Sequence, residues 1–226
     1  NTTSAIVLTL TSSCNITNAT VYNSSIGFYA DRSNGTRIVN STAYNISNVG
    51  FLQGKSSSNF NIIDSTAYSN RYDVYANNTD GSSSITFNAT RLTLRPPSGV
   101  LQNYTTISIS DTIDETKYYY MNWTNRTPQQ VPVQTASFNN KWIEIAGSTS
   151  AMIDSVTWHW DESETTDFFE YRLELWKYSN GEWYMLNNTP NTTTHTLSLS
   201  GFDPLSTYGI VENKTNRIAA VSSLEL

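Results

Sequence analysis

The chain has 226 residues and a formal net charge of −6, and only 14% of its residues are charged. Six Trp, fourteen Tyr and eight Phe supply too much apolar area for a disordered chain. The acidic balance argues against a nucleic-acid partner, and the single cysteine excludes an intrachain disulfide framework or a cysteine-rich metal site.

No run of about 18 apolar residues occurs, so no membrane span is expected. The chain starts at Asn1 without a methionine and reads as a processed product or an excised piece. Ser, Thr and Asn replace the usual surface charges, and sequons are dense. The acceptors in turn-like or C-terminal positions are Asn23, Asn34, Asn45, Asn77, Asn103, Asn122, Asn125, Asn187, Asn191 and Asn213. They predict an exterior coated with N-linked glycans.

In chain order, Ala5, Ile6, Val7, Leu8, Thr9 and Leu10 form the first apolar segment. An internal repeat follows: Ile16-Thr-Asn-Ala-Thr-Val-Tyr22, Ile38-Val-Asn-Ser-Thr-Ala-Tyr44 and Ile62-Ile-Asp-Ser-Thr-Ala-Tyr68, with a degenerate fourth copy at Ile85-Thr-Phe-Asn-Ala-Thr90. The period is about 22–24 residues. A second apolar segment recurs within each unit as Ile26-Gly-Phe-Tyr29, Val49-Gly-Phe-Leu52 and Tyr72-Asp-Val-Tyr75, and residues 5–10 match it in an incomplete first unit. Two short strands and several turns per unit predict one coil of a parallel β-helix, because a helical solenoid needs about 33 or more residues per repeat.

Stacking is the physical logic, since one coil cannot bury its inward side chains alone. Tyr22, Tyr44 and Tyr68 are expected in one row, and Ile16, Ile38, Ile62 and Ile85 in another. Asn18, Asn40, Asp64 and Asn88 form the polar row, which predicts a buried side-chain amide ladder. Asp64 keeps the position while abolishing the sequon, which favours the ladder over glycans there. Residues 5–92 resemble the right-handed parallel β-helix repeats of archaeal and bacterial secreted proteins. The resemblance implies architecture rather than activity.

The periodicity ends at Arg91-Leu-Thr-Leu-Arg-Pro-Pro97. Thr105–Ser110 and Lys117–Trp123 read as strands, and Asn125–Val133 as a linker. Further short strands follow: 141–146, 153–160, a hairpin of 170–178 with 182–186 around Asn180-Gly181, then 194–200 and 208–211. Leu173–Leu186 and Gly201–Ile210 resemble a C-terminal β-sandwich domain of archaeal cell-surface proteins, although Asp203-Pro-Leu departs from its closing element. The expected fold is all-β: a short right-handed parallel β-helix of about three to four coils, then an antiparallel β-sandwich. The expected division is 1–95 repeats, 96–132 a strand-containing connector and 133–226 sandwich.

Candidates for chemistry are sparse. Asp31, Asp64, Asp73 and Asp80 do not recur on one face at the repeat period, so no carboxylate groove of a polysaccharide-active enzyme is evident. The acidic stretch Asp161–Glu170 reads as a solvated loop rather than a Ca²⁺ site. His159 and His195 read as packing or surface residues and Cys14 as a small core residue. Trp158, Trp160, Trp176, Trp183 and Tyr184 read as sandwich core rather than a sugar platform. No catalytic residue, metal or cofactor is expected.

A β-helix leaves unpaired backbone groups at its end coils. Residues 5–10 begin the first coil without a cap, so they are the expected contact with a second copy of the chain. Such a head-to-tail contact propagates. The expectation is therefore a secreted, non-enzymatic structural subunit of an archaeal surface filament, sheath or S-layer. The alternative is a carbohydrate-binding or adhesive module.

Overall fold

A computed structural model describes residues 4–79, 85–96, 104–113, 117–124, 131–148, 152–203 and 205–215. Coil formation starts from its corners. Leu10, Ser13, Asn18 and Asn23 in the first coil take positive φ, followed by Arg32, Gly35, Asn40 and Asn45, then Ser56, Asn59, Asp64 and Ser69. Left-handed residues bend the chain sharply, and Asn, Asp and Gly tolerate the conformation best. Each repeat therefore breaks into three strands rather than the expected two.

The first coil is β1 (Ser4–Thr9), β2 (Asn15–Thr17) and β3 (Thr20–Tyr22). The second is β4 (Ile26–Asp31), β5 (Arg37–Val39) and β6 (Thr42–Tyr44), and the third is β7 (Val49–Gln53), β8 (Phe60–Ile63) and β9 (Thr66–Tyr68). β10 (Tyr72–Asn77) and β11 (Ile85–Arg95) complete the last coil. Equivalent strands pair in parallel and in register, as in Ile6↔Phe28↔Phe51↔Val74 and Ile16↔Ile38↔Ile62. Phe28 and Phe51 are fully buried, with ring centroids 5.1 Å apart.

Small polar residues close the inner corners. The Ser33 N–H donates to Ser57 Oγ and the Ser41 N–H to Ser65 Oγ, both at 3.1 Å. The Ser41 and Ser65 hydroxyls donate to the carbonyls two residues back. These serines are buried, and each satisfies a backbone N–H where the strand ladder is interrupted.

The motif glycines have a steric cause. A Cβ on Gly27 would lie 2.5 Å from the Gly50 carbonyl oxygen, and one on Gly50 would lie 2.8 Å from the Asp73 carbonyl oxygen. Asp73 occupies the same place in the last coil, where no further coil follows.

The later strands are β12 (Thr105–Ile113), β13 (Tyr118–Trp123), β14 (Thr135–Gly147), β15 (Ile153–His159), β16 (Leu173–Ser179), β17 (Glu182–Asn187), β18 (Thr196–Phe202) and β19 (Ser206–Asn213). They extend the coil sheets. One sheet runs β1-β4-β7-β10-β13-β14-β19-β16-β17; the other runs from β2 and β3 through β5 and β6, β8 and β9, then β11-β12-β15-β18. Pairing switches from parallel to antiparallel at β10–β13 and β11–β12. The result is a β-solenoid of about four turns grading into a sandwich-like pair of sheets over one core, which includes Phe51, Phe87, Tyr119, Trp158 and Ile210. Among the described residues no helix is long and apolar enough to cross a membrane.

The fourth repeat does not fall where sequence alignment puts it. Ile62 pairs with Ala89 rather than meeting Ile85, and Asn88 lies opposite Asn61. Arg91, at positive φ, takes the corner in line with Asp64, whose N–H donates to the Thr90 carbonyl. β11 also pairs antiparallel with β12, and that second partner holds residues 85–95 as one strand with an irregularity between Ala89 and Leu92.

Candidate functional site

Three surfaces stand out: the edge of the first coil, a stack of tyrosines along the solenoid, and a tyrosine-lined groove.

At the coil edge, β1 pairs only with β4, β2 with β5 and β3 with β6 among the described residues. The outer backbone groups of Ala5 to Thr9 therefore present an open ladder. Along β1 residues alternate between half-buried and exposed: Ile6 and Leu8 pack inward, while Val7 is 48% exposed; Leu10, at the corner that follows, is 73% exposed. At the far end of the sheets, β17 pairs only with β16 and β18 with β15 among the strands described.

Tyr22, Tyr44 and Tyr68 stack in register, with centroids 5.2 and 4.9 Å apart and nearly parallel planes. The Arg95 guanidinium covers the Tyr68 ring at 4.1 Å, while Tyr22 is 53% exposed. The row is closed by a cation at the sandwich end and bare at the coil end.

The asparagines exchange the roles expected of them. Asn18, Asn40 and Asp64 share a row linked by backbone bonds, but as left-handed corner residues they carry exposed side chains. Side-chain amide ladders form instead at Asn45 Nδ2 to Asn23 Oδ1 (2.6 Å) and at Asn59 Nδ2 to Asn34 Oδ1 (2.8 Å). The amide nitrogens of three other sequon asparagines are also donated: Asn122 to the Arg71 carbonyl, Asn187 to the Ser198 carbonyl and Asn213 to Glu174. Asn77 and Asn191 each accept the N–H of the sequon threonine, Thr79 or Thr193, on Oδ1, and their Nδ2 atoms make no hydrogen bond among the described residues. Asn103 and Asn125 lie outside the described residues.

The groove lies on the outer face where β10 meets β13. Tyr72, Tyr75, Tyr118 and Tyr120 line it with Val49, Leu52, Asn48 and Asn77, around a volume of about 590 Å³. Tyr75 and Tyr118 stack at 5.6 Å, and Tyr72 meets Tyr120 at 4.3 Å. Burial first, and the neighbouring tyrosines second, push the Tyr75 hydroxyl upward, so it remains protonated. In the sequence these tyrosines read as strand residues. Tyr72 and Tyr75 lie more than forty positions from Tyr118 and Tyr120 in the chain, and only the β10–β13 pairing assembles the groove.

Most ionisable groups are committed internally. Asp73 accepts from Asn70 Nδ2 at 3.0 Å and from the Trp123 N–H at 3.1 Å, tying the last coil to β13. Burial pushes its carboxyl up to about 7, against the lowering effect of those two donors. Because the folded value lies above the unfolded one, the native state holds the extra proton between about pH 4 and 7. The stability that Asp73 contributes is greatest below about pH 4 and is lost as pH rises through 7. The expected contribution falls by up to about 1.4 kcal/mol per pH unit across that window. Urea unfolding at a series of pH values should show this slope in the wild type and not in Asp73→Asn; parallel curves would refute it.

Two glutamates of the acidic stretch have internal partners. Glu164 contacts the Lys141 ammonium at 2.6 Å, and Glu170 accepts from Trp160 Nε1 at 2.7 Å and lies 2.6 Å from His195 Nδ1. No group of three or more His, Cys, Asp or Glu is placed to hold a metal ion among the described residues. Ser108 Oγ lies 2.7 Å from His159 Nε2, but the adjoining cavity measures only about 10 Å³ and no carboxylate reaches the other ring nitrogen among the described residues. Burial and Arg91 both lower the His159 pKa. Trp158 and Trp160 are buried in the core, whereas Tyr184 and Met185 are exposed on β17. No family model matches the chain, and no curated protein or solved structure is significantly similar to it.

Proposed function

We propose that the chain is a non-enzymatic structural subunit of a secreted, N-glycosylated surface assembly, joined head to tail by strand pairing at the first coil. The observation that carries this reading is the open edge of β1, β2 and β3. Both sheets run from that edge to β17 and β18, the last strands described. A second copy seated end to end would continue both sheets at once and cover Val7, Leu10 and the bare face of Tyr22. Such a heterologous contact has no closing symmetry of its own and extends into a filament or a layer. The repeat and sandwich resemblances point to an archaeal surface filament, sheath or S-layer. The alternative, a carbohydrate-binding or adhesive module, draws on the exposed tyrosine groove.

Electron microscopy and sedimentation over a concentration series test the assembly. The wild-type chain should form oligomers or fibres. Val7→Lys with Leu10→Lys should leave monomers with an unchanged melting temperature, because an edge lysine blocks strand addition without disturbing the inward face. A wild-type chain that stays monomeric at several hundred micromolar, or a double variant that assembles equally well, would refute the proposal.

A further inference from the structure

We propose that a glycan attached to Asn77 folds back over the tyrosine groove, its first sugar rings lying on Tyr75 and Tyr118. The inference rests on the reading that the chain is N-glycosylated and is independent of self-assembly.

Asn77 is the last residue of β10 and lies at the margin of the groove. Tyr75 precedes it by two residues and so projects from the same face of the strand. Tyr118 is its cross-strand partner on β13. The modifiable nitrogen thus sits beside two rings already stacked face to face, with interplanar angle 10°. The Asn77 Oδ1 bond to the Thr79 N–H, at 2.8 Å, holds the sequon in a turn, and Nδ2 has no hydrogen-bond partner among the described residues.

The chemistry of the groove suits a sugar better than an apolar peptide. A pyranose has an apolar C–H face that packs on an aromatic ring and a rim of hydroxyls that needs polar partners. The groove offers tyrosine faces together with phenolic hydroxyls and the Asn48 amide. None of the described residues that line it is a carboxylate. A glycan tethered at its edge reaches it at high effective concentration, so even a weak contact is populated.

Asn191 is the internal control. Its sequon has the same turn bond and an Nδ2 likewise without a partner among the described residues, but it sits in the exposed turn between β17 and β18. The test uses the full chain secreted from a eukaryotic host that performs N-glycosylation, kept dilute enough to be monomeric. Site occupancy is read by glycopeptide mass spectrometry, and release by a glycan-removing amidase is timed at each site on the folded protein. Asn77 should be occupied and released at least tenfold more slowly than Asn191. Tyr75→Thr or Tyr118→Thr should bring the Asn77 rate to within about twofold of Asn191, while Tyr75→Phe, which keeps the ring, should not. Nuclear Overhauser contacts between sugar and tyrosine ring protons in the wild type give a readout that does not depend on variant folding. An empty Asn77 beside filled sequons elsewhere, equal release rates at the two sites, or absence of sugar-to-ring contacts would overturn the inference. A chain bare at every sequon would overturn the glycosylation reading itself.

Discussion

Phe51→Ala should cost about 3–5 kcal/mol of folding stability, the range for removing a buried aromatic from a packed core. Phe51 is fully buried, stacks on Phe28 at an interplanar angle of 5°, and stands in register between Phe28 and Val74. Removing the ring bares one face of Phe28 and interrupts the inward row at mid-solenoid. In a solenoid each coil is held chiefly by its neighbours, so coils one and two should loosen together. Tyr44→Ala gives the comparison. Tyr44 stacks just as closely on Tyr22 and Tyr68 but lies half-buried on the outer surface. Its loss should cost only about 1–2 kcal/mol. Urea unfolding of both variants, with hydrogen exchange read coil by coil, checks the contrast. Equal losses would show that outer stacking holds the coils together as strongly as the inward row does.

Lys141→Ala should cost a similar ~3–5 kcal/mol for an electrostatic reason. The Lys141 side chain is fully buried, and its ammonium contacts Glu164 at 2.6 Å and the Tyr104 carbonyl at 3.3 Å. It also lies 4.3 Å from the Tyr104 ring centroid. Burial lowers its pKa and Glu164 counteracts that effect. Truncation leaves the Glu164 carboxylate, itself only 11% exposed, without its cation and with the Asp161 N–H still donating to it at 2.8 Å. Lys141→Met combined with Glu164→Gln removes both charges and keeps the volume. That pair should lose markedly less than Lys141→Ala alone, since a buried ion pair contributes little net stability compared with apolar packing. Thermal and urea unfolding of the three proteins decides it, and a double variant as unstable as Lys141→Ala would contradict the assignment.

The repeat was legible because stacking demands the same residue type at the same place in each coil. Tyr22, Tyr44 and Tyr68 announce their row directly, and Ile16, Ile38 and Ile62 theirs. The fourth repeat was misplaced because local similarity at Ile85–Thr90 ignores the second neighbour, β12, that sets the register of β11. The amide ladder forms on other asparagines than the pattern points to, for a related reason. A one-dimensional pattern shows which residues recur but not whether a left-handed corner turns their side chains inward or outward.

The candidate surfaces divide in the same way. Residues 5–10 were legible as a strand of the repeat from their pattern alone, and the tyrosine groove was not. Its tyrosines come from two segments far apart in sequence, and β10 and β13 meet through an antiparallel ladder that the Asp73 bonds to Asn122 and Trp123 extend.

By itself the sequence determined the all-β class, the solenoid and the parallel rows within it, because a coil's inward side chains can be buried only by like residues one period away. Tertiary structure alone decided how the later strands extend both sheets over a shared core, which asparagine amides are hydrogen-bonded, and where the aromatic groove lies. Those features depend on antiparallel pairings between distant segments, and no periodicity encodes them.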